Sequence, residues 1–225
     1  MNYLQLATRL RQEAQISGTG PVTVLNQVGQ MKLVVDWVNQ AYEAIQNLHD
    51  NWDYLRTDFS FNTLAGVQAY SETAINLTNV AEYDLDSFRA YKAADGQQDE
   101  QYLLNISYDE FRDNFLFANL SVQTGRPSYI ARKPNNDILL YPIPDGDYVI
   151  AGEYYQTRHV LASDADEPLF KARFHMAIVY LALSYHAVYV NAPEVYSFAD
   201  LEFKKILFKL EQDQTPRAIP AEPLV

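Results

Sequence analysis

Three short acidic clusters are the part of this sequence whose residue types best suit chemistry. They are Asp164–Glu167, the pair Asp99 and Glu100, and the pair Asp145 and Asp147. Two neighbouring carboxylates can act as a general acid and base or bind a divalent cation. Each cluster nevertheless lies where a turn or a helix N-terminus favours acidic residues, and none has the spacing of an EF-hand loop. We therefore expect structural roles for all three clusters.

Histidine and cysteine usage points the same way. The four histidines are His49, His159, His175 and His186, and none of them has the spacing of metal ligands. His175 and His186 would share a helical face but lie ~16 Å apart, which is too far to bind one ion. Cysteine is absent, which removes disulfides, thiolate zinc sites and cysteine nucleophiles. With no nucleophile elbow and no phosphate-binding loop, the sequence predicts a non-enzymatic protein without a catalytic, cofactor or metal site.

The charge is strongly negative and is concentrated in the middle of the chain. The net charge is −12, and residues 64–166 contribute −9 of it from 7 basic and 16 acidic side chains. DNA-binding proteins gain affinity by neutralising phosphates with Lys and Arg, so the charge argues against a sequence-reading DNA binder. The most apolar run, Met176–Val190, has 15 residues, which is too short to span a bilayer. We also find no secretory signal and expect no membrane partner.

Apolar residues at helical spacing predict four helices, two near each end of the chain. They are expected at Asn2–Gln15, Met31–His49, Glu167–Val190 and Glu194–Asp213. The buried positions expected in the last helix are Val195, Phe198, Leu201, Ile206, Leu207 and Leu210. Three prolines in the final twelve residues predict an extended tail, which would reach up to ~37 Å as polyproline II.

Between the helix pairs the sequence changes to a β pattern. The stretch from Gly125 to Asp147 combines Arg126, Arg132 and Lys133 with four prolines, which first suggests a phosphate-binding loop. Its two glycines are far apart, however, and its centre is a strand, a turn at Pro134–Asp137 and a second strand. We therefore predict a β-hairpin, whose basic residues are better suited to protein–protein salt bridges than to phosphate.

A short helix is expected within this β region. Ser107 would cap a helix that ends near Leu116, and Glu110 stands three residues after the serine, as in a capping box. The segment therefore predicts one helical element among the strands.

Together these elements predict an α+β fold. We expect a four-helix bundle of two N-terminal and two C-terminal helices, an inserted antiparallel β region and an extended C-terminal tail. The predicted domains are residues 1–54 with 167–214 for the bundle, 55–166 for the β region and 215–225 for the tail.

Four stretches resemble the head-to-tail adaptor (connector) proteins of tailed bacteriophages. The first is "VVDWVNQAYEAIQ" followed by "NWDYLRTDFSFNTLAGVQAY", a long helix leading to a Trp, an aromatic strand and a Gly-containing turn. The second is "GRPSYIARKPNNDILLYPIPDGDYVIAGEYYQT", with strands separated by proline-bounded turns. The closing helix pair and the extended tail are the third and fourth. Together these stretches cover most of the chain.

The resemblance implies a structural virion protein made in the host cytoplasm and located in the neck between portal and tail. Such proteins form rings, commonly of twelve copies, that dock to the portal and bridge it to tail or nozzle proteins. Genomic DNA would pass through the lumen without sequence-specific binding and leave by that route during ejection. The expected partner-interface residues are Pro216, Arg217, Ile219, Pro220, Leu224 and Val225 of the tail, with Arg132 and Lys133 of the hairpin.

A second hypothesis from a different class stays open at this point. The 17 tyrosines and the acidic turns would suit a carbohydrate- or receptor-binding virion module. That hypothesis predicts glycan- or calcium-dependent binding by the β region. The four predicted helices argue against it, because such modules are usually all-β.

Overall fold

The computed structural model describes residues 1–214, with the backbone alone for Ala118 and Asn119. Contacts between Cα atoms divide the chain into two compact units. The helical unit combines Met1–Leu55 with the described residues from Arg158 onward, and the β-rich unit is Arg56–Thr157. The predicted domain boundaries at 54, 166 and 214 stay a prediction, and the predicted tail lies outside the described residues.

The helical unit contains four α-helices. They are α1 (Tyr3–Glu13), α2 (Gly29–Gln46), α4 (Met176–Tyr189) and α5 (Pro193–Gln214). All four lie close to the predicted positions except at the start of α4. The predicted start near Pro168 is wrong, because only a 3-10 turn at Ala172–Phe174 precedes the first residue of α4.

Helix α1 illustrates how local sequence determines a helix start. The Asn2 side chain accepts a hydrogen bond from the Gln5 backbone N–H at 2.9 Å, and the Gln5 side chain accepts one from the Asn2 N–H at 3.0 Å. This reciprocal capping box satisfies two N–H groups that would otherwise lack partners. Leu6 and Leu10 then face the core and are fully buried.

Helix α4 is the centre of the helical unit. It is apolar on all sides, as expected of a helix covered all round, and it packs against α1, α2 and α5. Helix α5 instead packs chiefly against α4 and the 3-10 turn that precedes α4. The unit is therefore organised around one central helix.

The predicted fold class is wrong. Within residues 1–214 there are five α-helices and ten strands in three sheets, and the helical unit is not a four-helix bundle. A bundle needs four amphipathic helices around a shared core, whereas here α4 itself is the core element. The β region is also not purely antiparallel, because β5 pairs with β7 and β6 with β9 in parallel.

The β-rich unit contains the strands and one helix, α3 (Tyr108–Phe115). The sheet orders are β1-β10-β3-β4, β2-β8-β7-β5 and β6-β9. The strands are β1 (Arg56–Asn62), β2 (Ala69–Tyr70), β3 (Val80–Lys92), β4 (Gln101–Tyr102), β5 (Leu104–Asn105), β6 (Thr124–Gly125), β7 (Tyr129–Arg132), β8 (Ile138–Tyr141), β9 (Ile143–Pro144) and β10 (Tyr148–Gln156).

Aromatic side chains form the core of the β-rich unit. Phe59 contacts the rings of Tyr83, Phe88 and Tyr154 with centroid distances of 5.3–5.9 Å. Phe88 lies over Gly152 of the central strand β10, where an added Cβ would come within 2.9 Å of the ring. Glycine is therefore required at this position because the aromatic ring occupies the space of a side chain.

Two local predictions for this unit are confirmed. Ser107 caps α3 by accepting a hydrogen bond from the Glu110 N–H at 3.2 Å. Strands β7 and β8 form the predicted antiparallel hairpin, and Asn136 in its turn has a φ of 68°. Asparagine is one of the few residues that adopt this left-handed conformation at low cost.

Candidate interaction surfaces

The acidic cluster Asp164–Glu167 accepts hydrogen bonds from backbone N–H groups. Asp164 accepts hydrogen bonds from the Thr23 hydroxyl and the Val24 N–H, at 3.0 and 2.6 Å. Asp166 accepts from the Ser163 hydroxyl and from the N–H groups of Ser163 and Ala162, and these bonds lower its pKa to about 2. Such bonds stabilise the ionised carboxylate in a turn, which is a structural role.

The other two acidic clusters are also engaged within the β-rich unit. Asp99 pairs with Arg126 at 2.7 Å, and this contact lowers the pKa of its carboxyl group. The hydroxyl of Tyr148 donates a hydrogen bond to Asp145 at 2.8 Å. Both carboxylates therefore have a partner within their own unit.

The four histidines are distributed through the helical unit and do not meet. His175 is buried, donates from Nε2 to the Phe170 carbonyl at 3.0 Å and accepts from the Met1 ammonium at Nδ1 at 2.6 Å. His186 packs edge-on against Trp37 with ring centroids 5.6 Å apart. Burial lowers the pKa of both imidazoles. Among the residues that the structure describes, no group of three or more His, Asp or Glu side chains could hold a metal ion.

The two predicted hairpin residues occupy different environments. The Lys133 ammonium lies 3.8 Å from Asp137 within the β7–β8 turn. Arg132 is half-buried at the end of β7, opposite Ile138. Burial raises the pKa of Tyr83, and the positive charge of Arg132 partly opposes that effect. Within the described residues the Arg132 guanidinium has no ion-pair partner, so it is the more available of the two for a second protein.

The remaining predicted interface residues belong to the tail. Pro216, Arg217, Ile219, Pro220, Leu224 and Val225 all lie outside the described residues.

The tyrosines are in large part packing residues. Seven of the 17 are buried, and they are Tyr3, Tyr42, Tyr70, Tyr83, Tyr141, Tyr148 and Tyr154. Core packing thus accounts for seven of the 17 tyrosines. The abundance of tyrosine is therefore weak support for a carbohydrate-binding module.

The outer face of α5 is the most prominent uncovered surface of the helical unit. Phe198, Leu201 and Phe208 are 51%, 53% and 60% exposed, and they lie on the side of the helix opposite Ala199 and Leu210. We call these three residues the α5 outer face. Monomeric proteins rarely expose a row of large apolar side chains, so this face is a candidate interaction surface.

Apolar surface continues from the α5 outer face to the corner between α4 and α5. Val188 and Tyr189 at the end of α4 are 67% and 63% exposed. A depression of about 260 Å³ lies beside them, lined by Ala187, Val188, Asn191, Ala192, Pro193 and Tyr196. The uncovered region therefore extends over both helices.

A second apolar surface lies along α1. A groove of about 410 Å³ is lined by Met1, Leu4, Gln5, Thr8, Arg9, Gln12 and Pro21. We call it the α1 groove. The loop that supplies Pro21 also exposes Val22 at 89% and Val28 at 80%.

The sequence-based assignment of α5 was wrong for three residues. Val195, Phe198 and Leu201 were expected to be buried but are exposed, whereas Leu210 is buried as predicted. The available signal was a second apolar stripe on the same helix. Residues 199, 203, 206 and 210 form one stripe, and residues 198, 201 and 208 form the other. Two apolar stripes on one helix favour cover on two sides, and within this chain α5 packs chiefly on one side, against α4.

The comparisons with known proteins support one family. A family model described as SU10 adaptor protein matches residues 1–220 of the chain. Comparison with curated proteins gives no match. In addition, none of the helices within residues 1–214 is long and apolar enough to cross a bilayer.

Proposed function

Because the chain belongs to the SU10 adaptor protein family, a family of structural bacteriophage adaptors, we propose that it forms a ring that joins the portal to the tail. The ring, of twelve copies, lies in the virion neck, contacts portal and tail or nozzle proteins, and lines part of the DNA channel. The observation that carries this proposal is the match of the family model over residues 1–220.

The uncovered surfaces of the helical unit support ring formation. A closed ring is built from heterologous contacts, so each copy needs two different complementary surfaces. The α5 outer face and the α1 groove are two such surfaces, one convex and one concave. Both are apolar and would gain from being covered in an assembly.

The charge of the chain supports passage of DNA without adhesion. The net charge is −12, and residues 56–157 carry 15 acidic and 7 basic side chains. Several of those basic groups already pair with carboxylates of the same unit, among them Arg56, Arg89 and Arg126. An anionic surface repels phosphates, so DNA would move past it without binding.

The tail and the hairpin are the proposed contacts with other neck proteins. We assign portal binding to residues 215–225, in which Pro216, Ile219, Pro220, Leu224 and Val225 supply apolar surface and Arg217 a charge. Arg132, which has no ion-pair partner within residues 1–214, is assigned to a salt bridge with a neighbouring protein, with Lys133 beside it.

A docking assay with the purified portal tests these assignments. Deletion of residues 215–225 should reduce binding to the portal at least tenfold, while the circular dichroism spectrum stays unchanged. Arg132→Ala should weaken assembly more than the control Arg112→Ala, because Arg112 is exposed and already pairs with Asp109 and Asp113 of its own helix. Full-strength docking of the truncated chain would show that the portal contact lies elsewhere.

A further inference from the structure

The convex surface is a row of side chains on one side of α5. Phe198, Leu201 and Phe208 stand at positions i, i+3 and i+10, which places them within one narrow stripe of the helix. From first to last the row extends over ~15 Å at 1.5 Å per residue. Inside the row lies Lys205, whose ammonium pairs with Glu202 at 2.6 Å.

The concave surface has a matching length and character. The α1 groove follows its helix from Leu4 to Gln12, which corresponds to ~12 Å. It has two cationic groups: Arg9 is paired with Glu13 of the same helix at 2.5 Å, and the Met1 ammonium donates to His175 at 2.6 Å. Lys205, Arg9 and the Met1 ammonium each have a partner within their own copy, so covering the two surfaces leaves none of these three groups without a partner.

A contact between unlike surfaces fits these features better than a contact between like surfaces. If two α5 outer faces met each other, the α1 groove of both copies would stay uncovered. Such a pairing is also isologous and stops at a dimer, whereas unlike surfaces generate a ring. The groove and the row differ in shape, as heterologous partners must.

We infer that the α5 outer face of one copy packs into the α1 groove of the next copy. This inference rests on the proposed ring and names the surfaces that close it. A phenylalanine buries about 150–250 Å² in all, and at 51% and 60% exposure Phe198 and Phe208 can still bury about 170–280 Å² between them. The neighbouring Val22, Val28 and Val188 would raise the area towards the roughly 800 Å² per partner of a stable interface.

Site-directed cross-linking tests the pairing directly, because the chain has no cysteine of its own. One variant carries Thr8→Cys in the groove and another carries Phe208→Cys on the row. A mixture of the two under mild oxidation should give a disulfide-linked dimer that contains one copy of each, and neither variant alone should give a comparable amount. Self-linking of the Phe208→Cys variant at a similar rate would instead show that like faces meet, and would overturn the inference.

Mass photometry of the assembled protein separates failure of this pairing from failure of the ring. Phe198→Ser with Phe208→Ser should weaken association at least tenfold, whereas the control Leu64→Ser, at a 62% exposed residue of the β-rich unit, should not. If oligomers persist unchanged in the double variant, the ring stands and the proposed surfaces are wrong. If the unaltered protein shows no oligomer across a full concentration series, the proposed ring and the proposed pairing are both wrong.

Discussion

The two units of this chain handle their apolar side chains in opposite ways. Of the twenty large apolar side chains that are exposed within the described residues, fourteen belong to the helical unit and six to the β-rich unit. The β-rich unit packs many of its phenylalanines and tyrosines in its own core, with Phe59 and Phe88 as examples, and exposes Tyr102 and Phe117. In the helical unit Phe208 is 60% exposed, and Phe198 is 51% exposed although it contacts the ring of Tyr180 edge-on. This difference is the reason why we place the proposed contacts between copies on the helical unit.

The ionisable groups follow the same division. All four histidines belong to the helical unit, and the β-rich unit has none. Conversely, the β-rich unit has 15 acidic and 7 basic side chains, whereas the described residues of the helical unit have 13 and 9. The excess of negative charge is therefore larger in the β-rich unit. Histidines, which titrate near neutral pH, are found only in the helical unit.

The largest expected effect is an overpacked core in the β-rich unit. Gly152→Val introduces a β-branched side chain into space that the Phe88 ring already occupies. The substitution should therefore lower the free energy of unfolding of this unit by about 3 kcal/mol. Gly146→Ala is the matched control, because an added Cβ there meets nothing within 4 Å. Hydrogen exchange should show faster opening of β3 and β10 in the valine variant alone. Equal protection in both variants would mean that Phe88 can move aside.

A change of pH should act on the helical unit instead. The pKa values of His175 and His186 are lowered by burial, so the folded unit keeps these imidazoles neutral. The full stability is therefore present above about pH 6.5, the unfolded value, and falls as the pH decreases below it. The loss is at most about 1.4 kcal/mol per pH unit for each histidine. Near His175 the Met1 ammonium lowers the pKa further and Glu167 opposes that effect.

Hydrogen exchange at pH 7 and pH 5, corrected for the intrinsic exchange rate, measures this difference between the units. Protection of α4 should decrease at the lower pH, while protection of β10 should stay constant. His186→Phe should remove part of the decrease, because the ring packing against Trp37 is retained and the titrating group is lost. His49→Gln is the control, since His49 is half-exposed and pairs with Glu211. A parallel loss in both units would refute the assignment to histidine.

Local features of this fold could be predicted from sequence, and the way they combine could not. The cap at Ser107 and the β7–β8 hairpin depend on a few adjacent residues, and both were predicted correctly. The central position of α4 follows from its contacts with three other helices, which periodicity does not encode. The parallel pairings of β5 and β6 join strands that are distant along the chain.

The candidate interaction surfaces were harder to predict than the fold. A large apolar side chain is by default assigned to the core, and this default placed Phe198 and Leu201 inside. A surface that another copy covers has the same composition as a core. Sequence alone therefore identifies the two stripes of α5 and does not tell which of them the chain covers by itself.

The smallest expected effect concerns one tyrosine hydroxyl in each unit. The hydroxyl of Tyr54 in the helical unit is buried and has no hydrogen-bond partner within the described residues, and burial raises its pKa. Tyr54→Phe should therefore stabilise the protein by about 1 kcal/mol, because the cost of the unsatisfied group is removed while stacking on Trp52 is kept.

In the β-rich unit the hydroxyl of Tyr70 accepts from the Leu64 N–H and donates to the Val67 carbonyl, each at 3.0 Å. Tyr70→Phe should cost about 1 kcal/mol. Urea midpoints that shift in opposite directions would confirm the pair, and shifts of the same sign would refute it.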